Sequence, residues 1–352
     1  MAKKTYFEQK MEMLDNNYNK YFNSTLKELQ KGYRKAYKDI DVEILRWYNN
    51  MEAIKSKNPN FKFSELQYLE DLQEQINIIL EELSKVEETA LTESLNELYV
   101  TDYMDFNALD KKYGQLGLHT PMPEINNIQS VQVLESYLSM PTFATVKEVT
   151  KEALKHMDIE WWYEPIQGKW YNTRIYERAE KLGYSIENTL RQAIIRGDSY
   201  AKVADTMAKE LDISFKSAKT LVATELRQAE VTATIHNAKK LGYNALKRQS
   251  MHDNHVCKIC QEMDGKIYPL GTVRTGDFIL HANDRCVLIE VLIDEETGKQ
   301  LENPFKKEAE DYIQKKAQEN RERTRKIREQ YHLDKNGRKR KDKKALKNEF
   351  KQ

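Results

Sequence analysis

Glycine and proline are scarce, with 12 and 7 in 352 residues, together about 5% against an average near 12%. So few turn formers exclude a β-sandwich or barrel, which needs a turn every ~8–12 residues. They exclude collagen-like and low-complexity classes as well. Apolar residues are also thin, about 37% where globular domains average ~45–50%. Charged residues instead reach 32%. Such a chain is expected to be mostly helix, in long elements with much exposed surface. No run of about 18 apolar residues occurs, so no membrane span is expected. The opening MAKKTYFEQK has no apolar h-region, so no signal peptide is expected there. A Gly-rich phosphate loop, a serine elbow and a His-Glu-x-x-His helix are missing too, and no catalytic role is expected.

What is present is periodic. Phe7, Met11, Leu14, Tyr18, Phe22, Leu26, Leu29, Tyr33, Tyr37, Ile40 and Ile44 recur at a mean spacing of about 3.7 residues, the helical period. Asn58-Pro59-Asn60 interrupts the pattern. Ser64-Glu65-Leu66-Gln67 then reads as a capping box. A second stripe runs from Leu66 through Leu72, Ile76, Leu83, Leu91 and Leu95 to Leu98. Two long amphipathic helices around a proline turn predict an antiparallel hairpin over 1–113, its stripes forming a core seam or an oligomer contact. Residues 114–169 collect Gly114, Gly117, Pro121, Pro123 and Pro141, then Trp161 and Trp162, with Trp170 next. This stretch reads as an irregular linker leading into an apolar cluster.

Helical patterning resumes over 170–245. Helices are expected at 173–196, 199–211 and 214–241. Asp198-Ser199 and Asp212-Ile213-Ser214 are the N-cap candidates, and Gly242 is the left-handed stop. Residues 246–303 differ. Short apolar or β-branched runs lie at 246–251, 266–270 and 287–293, and Asp264-Gly265 is a hairpin-type dipeptide. The expected fold class is mainly α: long N-terminal helices, a central helical domain, a small α+β knuckle segment, and a basic helical or disordered tail over 304–352.

Only three cysteines occur, all within thirty residues: Cys257, Cys260 and Cys286. An odd, clustered set is not a secreted disulfide framework. Cys-x-x-Cys lets two thiolates grip one ion from a single turn, and His281 with Cys286 can close a Cys₃His shell of the structural zinc type. Four protein ligands leave no open coordination position, so the role would be structural. Reduced cysteines packed in a hairpin are the plainer reading. His252, Asp253 and His255 could instead form a polar turn, or the metal site of a nuclease.

Residues 306–352 carry 18 Lys/Arg and nine Asp/Glu, so the chain's net +1 divides into −8 for 1–305 and +9 beyond. Arg338, Lys339, Arg340, Lys341, Lys343 and Lys344 form the densest run. Such density attracts phosphate without reading sequence. Tyr331 and Phe350 are the only aromatics in 331–352, too few for base stacking along a strand. A zinc-stabilised DNA-binding protein is an alternative, but the acidic balance of 1–305 weighs against it.

Taken together, about Trp170 to Ile293 resembles the phage head morphogenesis domain of minor head proteins, the Mu protein F-like family. The resemblance rests on Thr224-Glu225, Asp253, Cys257, Cys260, Gly265, Tyr268, His281, Arg285 and Cys286. The chain departs from the family pattern at Ala282, where a proline is usual, at Asp284, where a cysteine is usual, and near Gln249, where a tryptophan is common. Asp284 could serve as a carboxylate ligand, or the knuckle could be metal-free. The resemblance implies a virion component rather than an enzyme, present in the host cytoplasm before assembly. Its implied partners are portal and capsid proteins, with roles in DNA packaging or delivery. The basic tail suits double-stranded DNA, and the N-terminal helices suit self-association.

Overall fold

The structure is a computed structural model. It describes residues 4–58, 66–113 and 166–331, apart from 167, 197, 253–255, 272–273, 282–283, 285 and 295. Pro59, the Ser64 capping box, the 114–165 linker with Trp161 and Trp162, and the tail run Arg338–Lys344 lie outside the described residues. So do Asp253, His255 and Arg285.

Among the described residues are six α-helices: α1 (Tyr6–Lys57), α2 (Leu66–Tyr113), α3 (Tyr171–Arg196), α4 (Tyr200–Lys240), α5 (Lys258–Glu262) and α6 (Lys306–Gln330). Four strands accompany them: β1 (Ala245–Gln249), β2 (Ile267–Pro269), β3 (Val287–Ile293) and β4 (Gln300–Glu302). The fold is mainly α with a small α+β segment, as the composition predicts. The chain divides into two compact units, one of residues 11–242 with 273–284, the other of 1–10, 243–272 and 285–352.

The first unit is a helical bundle. Tyr21 meets Thr101 (2.8 Å), Thr25 meets Ser94 (2.7 Å), and Lys35 meets Glu82 (3.0 Å). Rising numbers on α1 pair with falling numbers on α2, so the expected antiparallel hairpin forms. Leu29, Ile40, Ile44, Ile76, Leu91 and Leu95 are buried on the facing stripes, each contributing about 1.5–3 kcal/mol by leaving water. The stripe is not wholly apolar. Tyr37 is exposed while Thr25 is buried, its hydroxyl donating to the Tyr21 carbonyl and pairing with the Ser94 hydroxyl.

One expectation is corrected here. Helices 199–211 and 214–241 are a single 41-residue helix, α4. Ser214 caps nothing; it is buried and bonds the Tyr33 hydroxyl at 3.0 Å. Asp212 instead pairs with Lys216 one turn on. Neither glycine nor proline stands there to stop propagation. Ser199 does hold the N-cap position, and Gly242 takes the left-handed conformation (φ 85°) just past the end. From Leu221 to Ala238 α4 is buried almost all round, so it is the axis of this unit.

That axis carries polar groups. Asn17 donates from one amide nitrogen to Asp102 (3.0 Å) and Asp105 (2.9 Å). Burial, reinforced by Glu230, pushes the Asp102 carboxyl well above the usual range. His236 meets the Tyr99 hydroxyl at 2.7 Å through Nδ1, the two rings standing nearly perpendicular. Burial first, and then Lys239, lowers His236 to about 4.

The second unit is built on an antiparallel sheet of order β2-β1-β3-β4. Ala245 faces Val291, and Lys247 faces both Ile267 and Ile289. Ala245, Val291, Ile293 and Ile267 pack together on one side. Leu246, Arg248, Tyr268 and Glu290 alternate onto the other. Glu290 is buried there in an ion pair with Lys10. Tyr6 stacks on Phe305 at 5.1 Å, and Phe7 meets Tyr312 edge-on at 6.0 Å, tying the first turn of α1 to α6. The three predicted runs became β1, β2 and β3. The three-residue β4 carried no sequence signal.

Candidate metal centre

The knuckle grows out of β1. Arg248 closes the β1–β2 pairing with its own backbone: its N–H donates to the Lys266 carbonyl (2.9 Å) and its carbonyl accepts from Gly265 (2.8 Å). Gly265 sits at φ 77°, a conformation that penalises any side chain, so the Asp264-Gly265 dipeptide turns the chain into β2. Asp264 spans the turn. Its Oδ1 accepts from the Ser250 N–H and its Oδ2 meets His252 Nε2, both at 2.7 Å. His252 is held at φ 50°, and its carbonyl accepts from Arg321 of α6.

Cys257 is the N-cap of α5, in extended conformation, and its sulfur accepts the Cys260 N–H at 3.3 Å. This puts both sulfurs of the Cys-x-x-Cys on one turn. Cys260 is buried, and an Arg248 guanidinium N–H reaches its sulfur at 3.6 Å. Cys286, also buried, stands one residue before β3. All three cysteines are free thiols.

The ligand atoms of Cys257, Cys260 and His281 lie within 4.8 Å of one another, as do those of Cys260, Asp284 and Cys286. Cys260 is common to both sets. Ligand atoms around one tetrahedral zinc stand about 3.8 Å apart, so each set of three has the spacing to hold an ion, and the two sets join at Cys260. Asp284 is buried; its N–H donates to the His281 carbonyl (3.2 Å) and its Oδ2 accepts the Leu280 N–H (3.2 Å). The predicted ligands thus fall into two adjoining sets that could hold a metal, His281 in one and Cys286 with Asp284 in the other.

The Thr224-Glu225 pair is divided in role. Thr224 is half-buried and bonds its own helix, at the Thr220 carbonyl. Glu225 is fully buried and receives Arg174 Nη1 at 2.7 Å. Arg174 Nη2 donates to the carbonyls of Ile166 and Lys169. Glu225 thus anchors the start of α3. Sequence reasoning missed Arg174, Arg248 and Asp264. An arginine at the fourth position of the five-residue β1, on the same alternation as Leu246, was the one cue to Arg248. His252 of the nuclease alternative is paired with Asp264.

Residues 184–289 match the model of a family described as Phage Mu protein F like protein. That span runs from α3 through the knuckle into β3. A second match reaches further, to the Minor head protein GP7 of Bacillus phage SPP1: 21% identity over 311 residues, covering 81% of this chain and 87% of GP7.

Over this stretch the chain is similar to the Mu protein F-like minor head proteins.

The chain is also similar to an NAD(+)–arginine ADP-ribosyltransferase EFV of Enterococcus faecalis, 25% identical over 253 residues. That match covers 70% of this chain but only 44% of the enterococcal one. No solved structure matches. Among the described residues, no helix is long and apolar enough to cross a membrane.

Proposed function

We propose that this protein is a structural component of the phage head, associated with portal and capsid proteins, that assists head assembly and DNA packaging or delivery without catalytic turnover. The observation that carries the reading is the coincidence of the family match with the cysteine knuckle over one stretch of chain. The knuckle holds a structural zinc through Cys257, Cys260, Cys286 and His281, with Asp284 as the alternative fourth ligand. Three soft thiolates favour zinc over magnesium or calcium. When bound, the ion would supply cross-linking free energy to a segment with a small core. The chain's own residues prepare the place: Cys257 caps α5, the Cys260 N–H points at the Cys257 sulfur, and β1 and β3 fix the two ends.

The tail from 331 onward contacts DNA phosphates through Arg338, Lys339, Arg340, Lys341, Lys343 and Lys344. Net +6 over 22 residues supports that assignment. The long N-terminal helices make assembly contacts, including self-association. The deciding experiment is mass spectrometry of purified virions combined with metal analysis of the purified protein. The chain is expected among the particle components with about one zinc per copy. Its absence from virions would refute the head assignment, and metal-free protein would refute the zinc alone.

A further inference from the structure

A groove of about 710 Å³ runs between α2 and α3. Its floor is Leu80 and Gly183. A Cβ on Gly183 would stand 3.1 Å from Asn77 Oδ1 and 3.5 Å from Leu80 Cδ1, so the helix backbones are close and the floor stays low. Tyr176 and Tyr184 line one side, and Tyr184 is 67% exposed. The lining carries Glu81, Glu180 and Glu187 against Lys181; Glu81 pairs with Lys85 and Glu187 with Arg191. Glu180 makes no ion pair among the described residues. Helix α2 as a whole carries twelve Asp/Glu against three Lys.

We propose that this groove docks the basic C-terminal segment, residues 343–351, of a second copy of the chain. That segment, KKALKNEFK, has Lys343, Lys344, Lys347 and Lys351 around Leu346 and Phe350. The two apolar residues are four apart, the spacing that brings side chains to one side of a helix. An apolar floor with a carboxylate rim is the complement of that pattern, and opposed potentials set both orientation and encounter rate. Exposed ion pairs each contribute little, so the contact is weak and salt-sensitive. Lys343 and Lys344 are also assigned to phosphate above, so DNA and the groove compete for them. The proposal deepens the self-association reading and rests on it.

The test mixes ¹⁴N- and ¹⁵N-labelled full-length protein, cross-links carboxylates to amines with a zero-length carbodiimide, and reads the products by mass spectrometry. Mixed-isotope links from Lys343, Lys344 or Lys347 to Glu81, Glu180 or Glu187 are expected. The variant E81Q/E180Q/E187Q, whose folding is checked by circular dichroism, is expected to cut their yield roughly tenfold. K343E/K344E/K347E, which leaves the groove untouched, is expected to do the same. Links confined to single-isotope pairs, absent links, or yields unchanged in both variants overturn the proposal. Sedimentation separates the two levels: a dimer without these links refutes the groove alone, whereas a chain monomeric at every concentration refutes self-association too.

Discussion

Protonation of His236 should set how this protein loses stability in acid. The imidazole is half-buried on α4 with its Nδ1 against the Tyr99 hydroxyl. Its folded value is about 4, whereas in the unfolded chain it is about 6.5. Between those values the unfolded state binds the proton and the folded state does not, so stability rises with pH across that window. The contribution is fully present above pH 6.5 and is lost as pH falls toward 4. At 1.36 kcal/mol per pH unit, the loss on going from pH 7 to 4.5 is about 2.5 kcal/mol. Replacing His236 by Asn keeps a polar atom near the tyrosine and removes the titration. Urea denaturation of both proteins at pH 7 and pH 4.5 isolates the term, because every other titrating group is common to both. The wild type should lose about 2.5 kcal/mol more than H236N. Equal losses would refute the assignment, since they would mean the ring is charged or solvated in the folded state.

Asp102 works in the opposite direction. Its folded value is raised by burial and Glu230, so its contribution is present below the unfolded value and lost as pH rises through the folded one. D102N should therefore raise the melting temperature at pH 8 and change it little at pH 3.5, read by calorimetry. E225A leaves Arg174 without its buried partner and should cost about 3–5 kcal/mol in chemical denaturation, with E225Q costing less. C260S removes the sulfur common to both ligand sets and should abolish zinc binding, seen by metal analysis, while helicity of α1 to α4 persists. Deleting 331–352 should weaken DNA binding and flatten its dependence on salt by a log–log slope of about 5, for the loss of about six phosphate contacts. An unchanged slope would remove the tail from that role.

The legible parts of the sequence were those ruled by short-range periodicity and by turn chemistry. The stripes of α1 and α2, the stop at Gly242 and the turn at Gly265 follow from local residue types. The cysteine spacing and the run of family motifs marked the knuckle. Less legible were the places where a partner far along the chain decides. Ser214 reads locally as a cap, yet Tyr33 takes its hydroxyl inside the bundle. Asp264 reads as half of a hairpin dipeptide, yet it also holds His252 and Ser250.

The sequence alone determined a helix-rich, charge-divided chain with one small cysteine-bearing segment, because period, composition and spacing are local properties. Only the tertiary structure decided that α4 is one continuous buried axis, that Glu225 and Arg174 are an anchor, and that Arg248 reaches the Cys260 sulfur. Behind each stands a buried polar group: Ser214 on α4, Glu225 and Arg248. Its cost when unpaired exceeds any local propensity, so its place is set by the partner that satisfies it.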